Sequence, residues 1–143
     1  LKNLHTLHLR MKQHSKNAMY LATKLHDMGV SVKYTGLPGH PQYVLHTQLM
    51  NNEYGYGGIL SIDLETEKRA NEVMFKMQQA NIGYLAVSLG YFRTLFSCSG
   101  HSTSSEVPAE VQKEMGLSDG LVRFSVGLDN DIEDIFNRIK SCL

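Results

Sequence analysis

Residues 121–128 alternate between two kinds of side chain, which is the pattern of a β-strand with two different faces. One face carries only apolar residues that can be buried in a core, Val122, Phe124, Val126 and Leu128. The other face carries Leu121, Arg123, Ser125 and Gly127. An arginine beside two small residues leaves space for another group. The segment therefore predicts a sheet with one packed face and one face on which a ligand has room.

Helical spacing is found on both sides of this strand along the chain. Residues 1–26 are predicted to form a long helix, ended by Gly29, because their apolar residues follow helical spacing: Leu4, Leu7, Met11, Ala18, Ala22 and Leu25. Shorter helices are predicted from about residues 41, 66, 108 and 131. Four further strands are predicted, at residues 32–34, 58–64, 84–88 and 94–97, with 84–88 buried. Helices and strands alternate, so the fold class is α/β or α+β.

The composition narrows the class of partner. The 143 residues suit one domain, and 42% hydrophobic with 20% charged residues is an ordinary globular composition. Fourteen basic residues balance fourteen acidic ones, which removes the electrostatic basis for binding nucleic acid or an anionic membrane. No segment is apolar enough to span a bilayer. Two cysteines do not make a disulfide framework, so a reducing, cytoplasmic setting is expected.

The sequence begins at Leu1, inside the pattern of the first helix, and not at a methionine. A natural chain seldom begins in mid-pattern, so we expect an excised domain, with a processed N-terminus as the alternative. The first helix is long for a small domain, and we expect it to reach beyond the domain itself.

Arg123 is the residue on the open face that is best suited to bind a ligand. Its guanidinium offers a planar fork of N–H donors that matches a carboxylate in two parallel hydrogen bonds. The strand pattern alone favours a structural ion pair with an Asp or Glu elsewhere, and leaves anion binding as the alternative. Ser88, at the predicted end of a strand, is a weaker candidate, since most such serines bond to backbone groups.

Other possible sites have simpler explanations. The glycine-rich residues 54–58 lack the spacing of a P-loop and predict a tight turn. The seven histidines, of which His14 falls near the apolar stripe of the first helix, lack the further ligands of a zinc site. Cys98 with the nearby His101 suggests a nucleophile, but proximity in sequence does not provide catalytic geometry. Lys24 lies in a helical pattern and is expected to be an ordinary solvated residue.

Five motifs occur in a fixed order along the chain. They are residues 1–10 (LKNLHTLHLR), 36–41 (GLPGHP), 55–61 (GYGGILS), 86–90 (AVSLG) and 118–128 (SDGLVRFSVGL). With these motifs the chain resembles the C-terminal region of the cystathionine gamma-synthase/methionine gamma-lyase family, and the methionine gamma-lyase branch is the most similar. The resemblance covers nearly the whole chain.

The resemblance implies the small C-terminal domain of a fold-type I pyridoxal-phosphate (PLP) enzyme. Such a domain has a mainly antiparallel sheet of about four strands with helices packed on it, preceded by a long helix. Residues 1–143 would form this domain, with residues 1–27 as the helix linking it to an N-terminal cofactor-binding domain that is absent from this sequence. PLP would be bound by that absent domain, so no cofactor-binding, catalytic or metal-binding residue is expected, and the chain alone is expected to be inactive.

The resemblance also assigns roles to individual residues. Arg123 would hold the α-carboxylate of a sulfur-containing amino-acid substrate, and Ser88 and Leu89 would line the same site. The full-length enzyme would be a homotetramer. Its reaction would be a gamma-elimination that gives a thiol, a 2-oxo acid and ammonia, with a synthase or O-acylhomoserine sulfhydrylase as the alternative. A free-standing domain for ligand binding or assembly is the alternative from another class.

Two features depart from the family pattern. Arg93 stands where most members carry a glutamate close to the distal end of the substrate. This charge reversal is expected to affect specificity, above all for a substrate with a cationic distal group such as cystathionine. Residues 97–107 form a serine-rich variant of the usual family sequence, similar to that of some methionine gamma-lyase-like members.

Overall fold

The computed structural model describes residues 2–98 and 107–143. A 3₁₀ turn, Lys2–Leu4, precedes the long helix α1, Leu7–Asp27. The helix begins later than predicted because residues 2–9 are exposed, and no tertiary packing extends it towards its N-terminus. It ends as predicted at Gly29, whose φ of 83° is left-handed and whose N–H donates to His26 O at 2.9 Å.

The remaining elements alternate along the chain as the sequence predicts. The strands are β1 (Ser31–Lys33), β2 (Ile59–Asp63), β3 (Gly83–Leu85), β4 (Thr94–Cys98) and β5 (Leu121–Ser125). The other helices are α2 (Tyr43–Leu49), α3 (Glu67–Gln79), α4 (Ala109–Glu114) and α5 (Ile132–Cys142), and a second 3₁₀ turn spans Asn52–Tyr54. None of the helices within the described residues is long and apolar enough to cross a membrane.

The five strands form one sheet in the order β1-β2-β5-β4-β3. Three of the four pairings are antiparallel, whereas β3 runs parallel to β4. The sheet is thus mainly antiparallel, as predicted, with five strands where about four were expected. β5, the strand whose sequence alternates most clearly, lies at its centre.

One face of the sheet forms the core. α1 and α3 cover this face, and α5 packs against both helices. The strand residues of the core include Ile62, Phe96, Val122 and Phe124, none of which is accessible to solvent. Residues at alternate positions, with Arg123 in the centre, project from the opposite face.

β3 differs from its prediction. It spans Gly83–Leu85 and not 84–88, and its residues Tyr84 and Leu85 are 44% and 47% exposed. The apolar sequence suggested a buried strand, but β3 lies at the edge of the sheet, where β4 is its one neighbouring strand in the described residues. Residues 86–93 therefore form a loop that joins two parallel neighbours.

β5 also differs in detail. It ends at Ser125, although Val126 N and Leu128 N continue to donate to Gly58 O and Phe92 O, at 2.8 and 2.7 Å. Leu121 and Ser125, on the face of Arg123, are only 4% and 2% exposed. The space on this face is therefore concentrated around the arginine.

Candidate functional site

Arg123 belongs to a row of four polar side chains that crosses the open face of the sheet. The register pairs Arg123 with Ser61 of β2 on one side and with Ser97 of β4 on the other, and Ser61 pairs in turn with Lys33 of β1. Directly paired residues of neighbouring strands project from the same face, so these side chains share one surface. The row contains two cations, two hydroxyls and no carboxylate, which favours an anion.

The guanidinium of Arg123 is half-buried and contacts backbone carbonyls. Its Nη2 donates to Ser88 O at 3.2 Å, and Ala86 O lies at 3.5 Å, the distance of a weak contact. The Nε atom is buried and has no hydrogen-bond partner among the described residues. No Asp or Glu within residues 2–98 and 107–143 forms an ion pair with Arg123. The structural ion pair that the strand pattern favours is therefore not observed in this part of the chain.

Hydrogen bonds hold the loop of residues 86–93 on either side of Ser88 and Leu89. Ala86 N donates to Phe96 O at 3.1 Å, and Gly90 N donates to Ser125 Oγ at 2.9 Å. The side chains of Ser88 and Leu89 are exposed. Ser88 meets Arg123 through its backbone carbonyl, which leaves its hydroxyl available to another group.

A cavity of about 180 Å³ adjoins this row of residues. Met11, Ile59 and Leu89 supply apolar walls, and Ser125 lines it as well. Arg123 does not itself line the cavity, but Ser125 lies two residues from it on the same face of β5, and Leu89 follows Ser88, whose carbonyl accepts from Arg123. The site therefore combines an anion-binding group with an apolar space.

The whole chain, residues 1–143, matches the family model described as Cys/Met metabolism PLP-dependent enzyme. The chain belongs to this family. It is 50% identical over 135 residues to the methionine gamma-lyase of Arabidopsis thaliana, a match that covers 94% of this chain and 31% of that protein. It is 36% identical over 151 residues to the cystathionine gamma-lyase of Dictyostelium discoideum, covering 100% of this chain and 36% of that protein.

A solved structure gives the corresponding match in fold. A Campylobacter jejuni protein described as an O-acetylhomoserine (thiol)-lyase, which contains N'-pyridoxyl-lysine-5'-monophosphate, superposes with a TM-score of 0.89 at 25% identity. The match covers 99% of this chain and 33% of that one. The predicted domain fold of a fold-type I PLP enzyme is confirmed. This member of the Cys/Met metabolism family spans about a third of the length of the relatives it matches.

Arg93, the residue that departs from the family pattern, is held by its surroundings. Its Nη2 donates to Asn81 O and Asn81 Oδ1, at 2.6 and 2.9 Å. Its guanidinium also lies over the ring of Tyr84, 5.2 Å from the ring centre. Asn81 has a φ of 55°, so Arg93 stabilises a left-handed residue where α3 leads into β3.

Two polar residues of α1 support the end of β5, a role that periodicity did not indicate. His14, which falls near the apolar stripe of α1, is 3% exposed, and its Nδ1 donates to Val126 O at 2.6 Å. Asn17 is 1% exposed, and its Nδ2 donates to Gly127 O and Asp129 O, at 3.0 and 2.9 Å. Polar residues on the buried side of a helical stripe were the available signal for this role.

The other candidates do not form a second site in the described residues. No group of His, Cys, Asp or Glu within residues 2–98 and 107–143 could hold a metal ion. Cys98 donates its Sγ–H to Asp119 O at 3.2 Å, while His101 lies outside the described residues, as do residues 99–106 in general. The structure therefore does not test the hypothesis that Cys98 and His101 form a catalytic pair.

The described residues do not fit a covalently attached PLP. A Schiff-base lysine needs an enclosed position beside groups that bind the cofactor phosphate. Every lysine whose side chain the structure describes is exposed, including Lys24 on α1. None of the lysine side chains that the structure describes thus occupies such an enclosed position.

A larger cavity, of about 560 Å³, lies away from Arg123. It is found at the β1 edge of the sheet, among Val32, Tyr34, Leu37 and Pro38. This surface is mostly apolar and adjoins the motif of residues 36–41. Its lining also includes the polar side chains of His26, Lys33, His40 and Gln42, but not Arg123, and size alone does not make it the functional site.

Proposed function

We propose that this chain is the C-terminal, substrate-carboxylate-binding domain of a PLP-dependent enzyme of sulfur amino-acid metabolism, most similar in reaction to methionine gamma-lyase. That reaction is a gamma-elimination of the amino acid to a thiol, a 2-oxo acid and ammonia. The observation that carries the proposal is the guanidinium of Arg123, half-buried on an open sheet face with its Nε–H unpartnered in the described residues. The 50% identity to the Arabidopsis methionine gamma-lyase supports the choice of reaction.

Arg123 binds and orients the substrate in this proposal. A carboxylate receives two parallel hydrogen bonds from the planar guanidinium, which fixes both its position and its rotation. The carbonyl of Ser88 holds Nη2, so the fork is oriented before the substrate arrives. Leu89 contacts the substrate beside the arginine, and the apolar cavity that it lines suits an uncharged thioether side chain.

PLP is bound by a separate N-terminal domain, with residues 1–27 as the linking helix. The exposed lysines of this chain support the binding of PLP by another domain. PLP supplies the electron sink for the chemistry, and this domain supplies recognition of the substrate. The isolated chain is accordingly inactive, and addition of PLP to it should give no stoichiometric Schiff base at a specific lysine.

Arg93 tunes specificity at the distal end of the substrate. Its positive charge disfavours a cationic distal group, such as that of cystathionine, relative to an uncharged thioether. A cystathionine gamma-synthase or an O-acylhomoserine sulfhydrylase is the second candidate, supported by the fold match to the Campylobacter protein. Analysis of the products separates the two, since a lyase releases a 2-oxo acid and ammonia whereas a synthase forms a thioether amino acid.

We further propose a cytoplasmic homotetramer for the full-length enzyme. The exposed large apolar side chains around the site support burial against other parts of an assembly: Tyr84, Leu85, Val87, Leu89, Tyr91 and Phe92. Sedimentation of the full-length protein would test this, and a monomer at micromolar concentration would contradict it. A non-catalytic module would instead show no PLP-binding domain in the gene upstream of Leu1.

Replacement of Arg123 in the full-length enzyme tests the main proposal. Arg123→Ala should raise the dissociation constant of L-norleucine, a methionine-sized amino acid, by about 100-fold or more, since two charge-assisted hydrogen bonds are lost. The absorbance of bound PLP should be unchanged. Arg138→Ala is the matched control, because Arg138 pairs only with Asp134 on the exposed side of α5. Loss of PLP with unchanged affinity for norleucine would show the assignment to be wrong.

A further inference from the structure

We propose that Ser97 is a second hydrogen-bond donor to the substrate carboxylate, acting beside Arg123. This inference rests on the proposed function, because it concerns the same ligand. Neither the resemblance nor the strand pattern points to Ser97.

The position of Ser97 follows from the register of the sheet. Ser97 of β4 is the direct partner of Arg123 in the antiparallel β4–β5 ladder. Directly opposed residues of such a ladder have Cβ atoms about 4.5–5.5 Å apart and project from the same face. Arg123 also reaches from β5 towards the carbonyls of Ala86 and Ser88, which follow β3 on the far side of β4. The arginine side chain thus extends across the strand that contains Ser97.

Ser97 has a buried hydroxyl with no partner. The residue is 6% exposed, and its Oγ forms no hydrogen bond with the described residues. The Nε of Arg123 is also buried and has no hydrogen-bond partner among the described residues. Buried polar groups are nearly always satisfied in folded proteins, so two unsatisfied groups in one cross-strand pair indicate a shared external partner.

The chemistry of the two groups defines that partner. The Nε–H of Arg123 can only donate, and the hydroxyl of Ser97 can donate as well. A group that accepts from both must present two acceptor atoms close together, as a carboxylate does. The row they belong to carries Lys33 and Arg123 and no acidic residue, so a negative charge is favoured over a neutral amide.

The test compares Ser97→Ala with Ser141→Ala in the full-length enzyme. Ser141 is the matched control, because it is an exposed serine of α5 whose hydroxyl donates to Arg138 O, outside the polar row that contains Arg123. Two probes are titrated into each variant, L-norleucine and its carboxamide, L-norleucinamide. Ser97→Cys is the second variant, since it preserves the volume of the side chain and replaces a strong donor with a weak one.

Ser97→Ala should raise the dissociation constant of L-norleucine about tenfold, the effect of one hydrogen bond to a charged group. The same variant should change that of L-norleucinamide by less than about twofold. Ser97→Cys should resemble Ser97→Ala, and Ser141→Ala should bind as the unmodified enzyme does.

Equal weakening of both probes would assign Ser97 a structural role and overturn the inference. Unchanged norleucine binding in Ser97→Ala would overturn it as well. Failure of the proposed function gives a different result. Arg123→Ala would then leave the affinity for norleucine unchanged, irrespective of the effect of the Ser97 variants.

Discussion

The hydroxyl oxygen of Ser125 accepts a hydrogen bond from the backbone N–H of Gly90 at 2.9 Å. Ser125 follows Arg123 by two residues on the same face of β5, and Gly90 follows Ser88 and Leu89 in the loop after β3. One hydrogen bond thus connects the strand of the proposed carboxylate-binding residue to the loop that completes its site. The contact explains why a small hydroxyl residue occupies a nearly inaccessible position.

Ser125→Ala should loosen this loop. Removal of the acceptor leaves Gly90 N–H unpartnered and should destabilise the native state by about 1 kcal/mol. The amide of Gly90 should exchange with deuterium faster, and norleucine affinity should fall several-fold through the displaced Ser88 carbonyl. Ser141→Ala, which removes an exposed hydroxyl that donates to Arg138 O within α5, should alter neither quantity. Unchanged exchange at Gly90 in Ser125→Ala would contradict the prediction.

Asn17→Ala should weaken the junction of α1 with the end of β5. Two buried carbonyls, Gly127 O and Asp129 O, lose their donor, at an expected loss of about 1–3 kcal/mol in the free energy of unfolding. The midpoint of urea unfolding of the full-length protein measures the effect. Asn71→Ala is the control, because Asn71 lies on the exposed side of α3. Equal midpoints for the two variants would rule out this role for Asn17.

Tyr34→Phe should change how stability depends on alkaline pH. The hydroxyl of Tyr34 donates to Gly57 O at 2.8 Å, and burial, followed by the nearby Tyr56, raises its pKa well above the ordinary tyrosine value of 10.0. A raised pKa in the folded state contributes stability that is present below pH 10 and is lost as the pH rises above it, because the unfolded chain ionises first. The phenylalanine variant has no such loss.

At pH 8 Tyr34→Phe should therefore be less stable by about 1 kcal/mol. The difference in unfolding midpoint between the two proteins should narrow above pH 10. Thermal unfolding at pH 8 and at about pH 10.5 provides the comparison. A difference that stays constant or widens would show that Tyr34 is not protected from ionisation in the folded protein.

Gly83→Ala should disrupt the pairing of β3 with β4. A Cβ at this position would lie 2.0 Å from Thr94 O, a backbone atom that cannot move without separating the strands. We expect a loss of at least about 2 kcal/mol in stability. Gly39→Ala is the matched control, since a Cβ there meets nothing within 4 Å. Equal stability of the two variants would contradict the close approach.

Arg93→Glu should shift the preference of the enzyme between substrates. The change introduces the negative charge that the resemblance leads us to expect at this position, and it also removes the bonds to Asn81. The ratio of kcat/KM for cystathionine to that for methionine should rise by about tenfold, because a distal ammonium is no longer repelled. Arg93→Gln separates loss of charge from gain of the opposite charge. An unchanged ratio in both variants would assign Arg93 to folding alone.

Local patterns predicted most of the fold. The alternation of residues 121–128 and the helical stripe of α1 have periods of 2 and 3.6, and periodicity needs no knowledge of distant contacts. The exposure of β3 was mispredicted because it depends on contacts between strands that are distant in the sequence. Its apolar sequence resembles that of a buried strand, and only the strand order shows that it lies at the edge.

The candidate site was partly visible in the sequence. Arg123 stood out because a charge on a half-apolar strand is uncommon, and the resemblance supplied its proposed ligand. Ser97 did not stand out, because its relation to Arg123 exists only through the β4–β5 register. Asn17 was missed because its position on the buried side of the helical stripe does not show which carbonyls its amide bonds, and these lie about 110 residues away in the sequence.

The parallel pairing of β3 with β4 has a consequence for how such enzymes can vary. Parallel neighbours usually need a connection of about a dozen residues or more, yet residues 86–93 alone make this return. The segment that presents Ser88 and Leu89 is thus short for its connection, and hydrogen bonds on either side of it, from Ala86 N to Phe96 O and from Gly90 N to Ser125 Oγ, would be displaced by insertions or deletions. Variation at this loop is therefore expected mainly in the identity of its residues and not in its length.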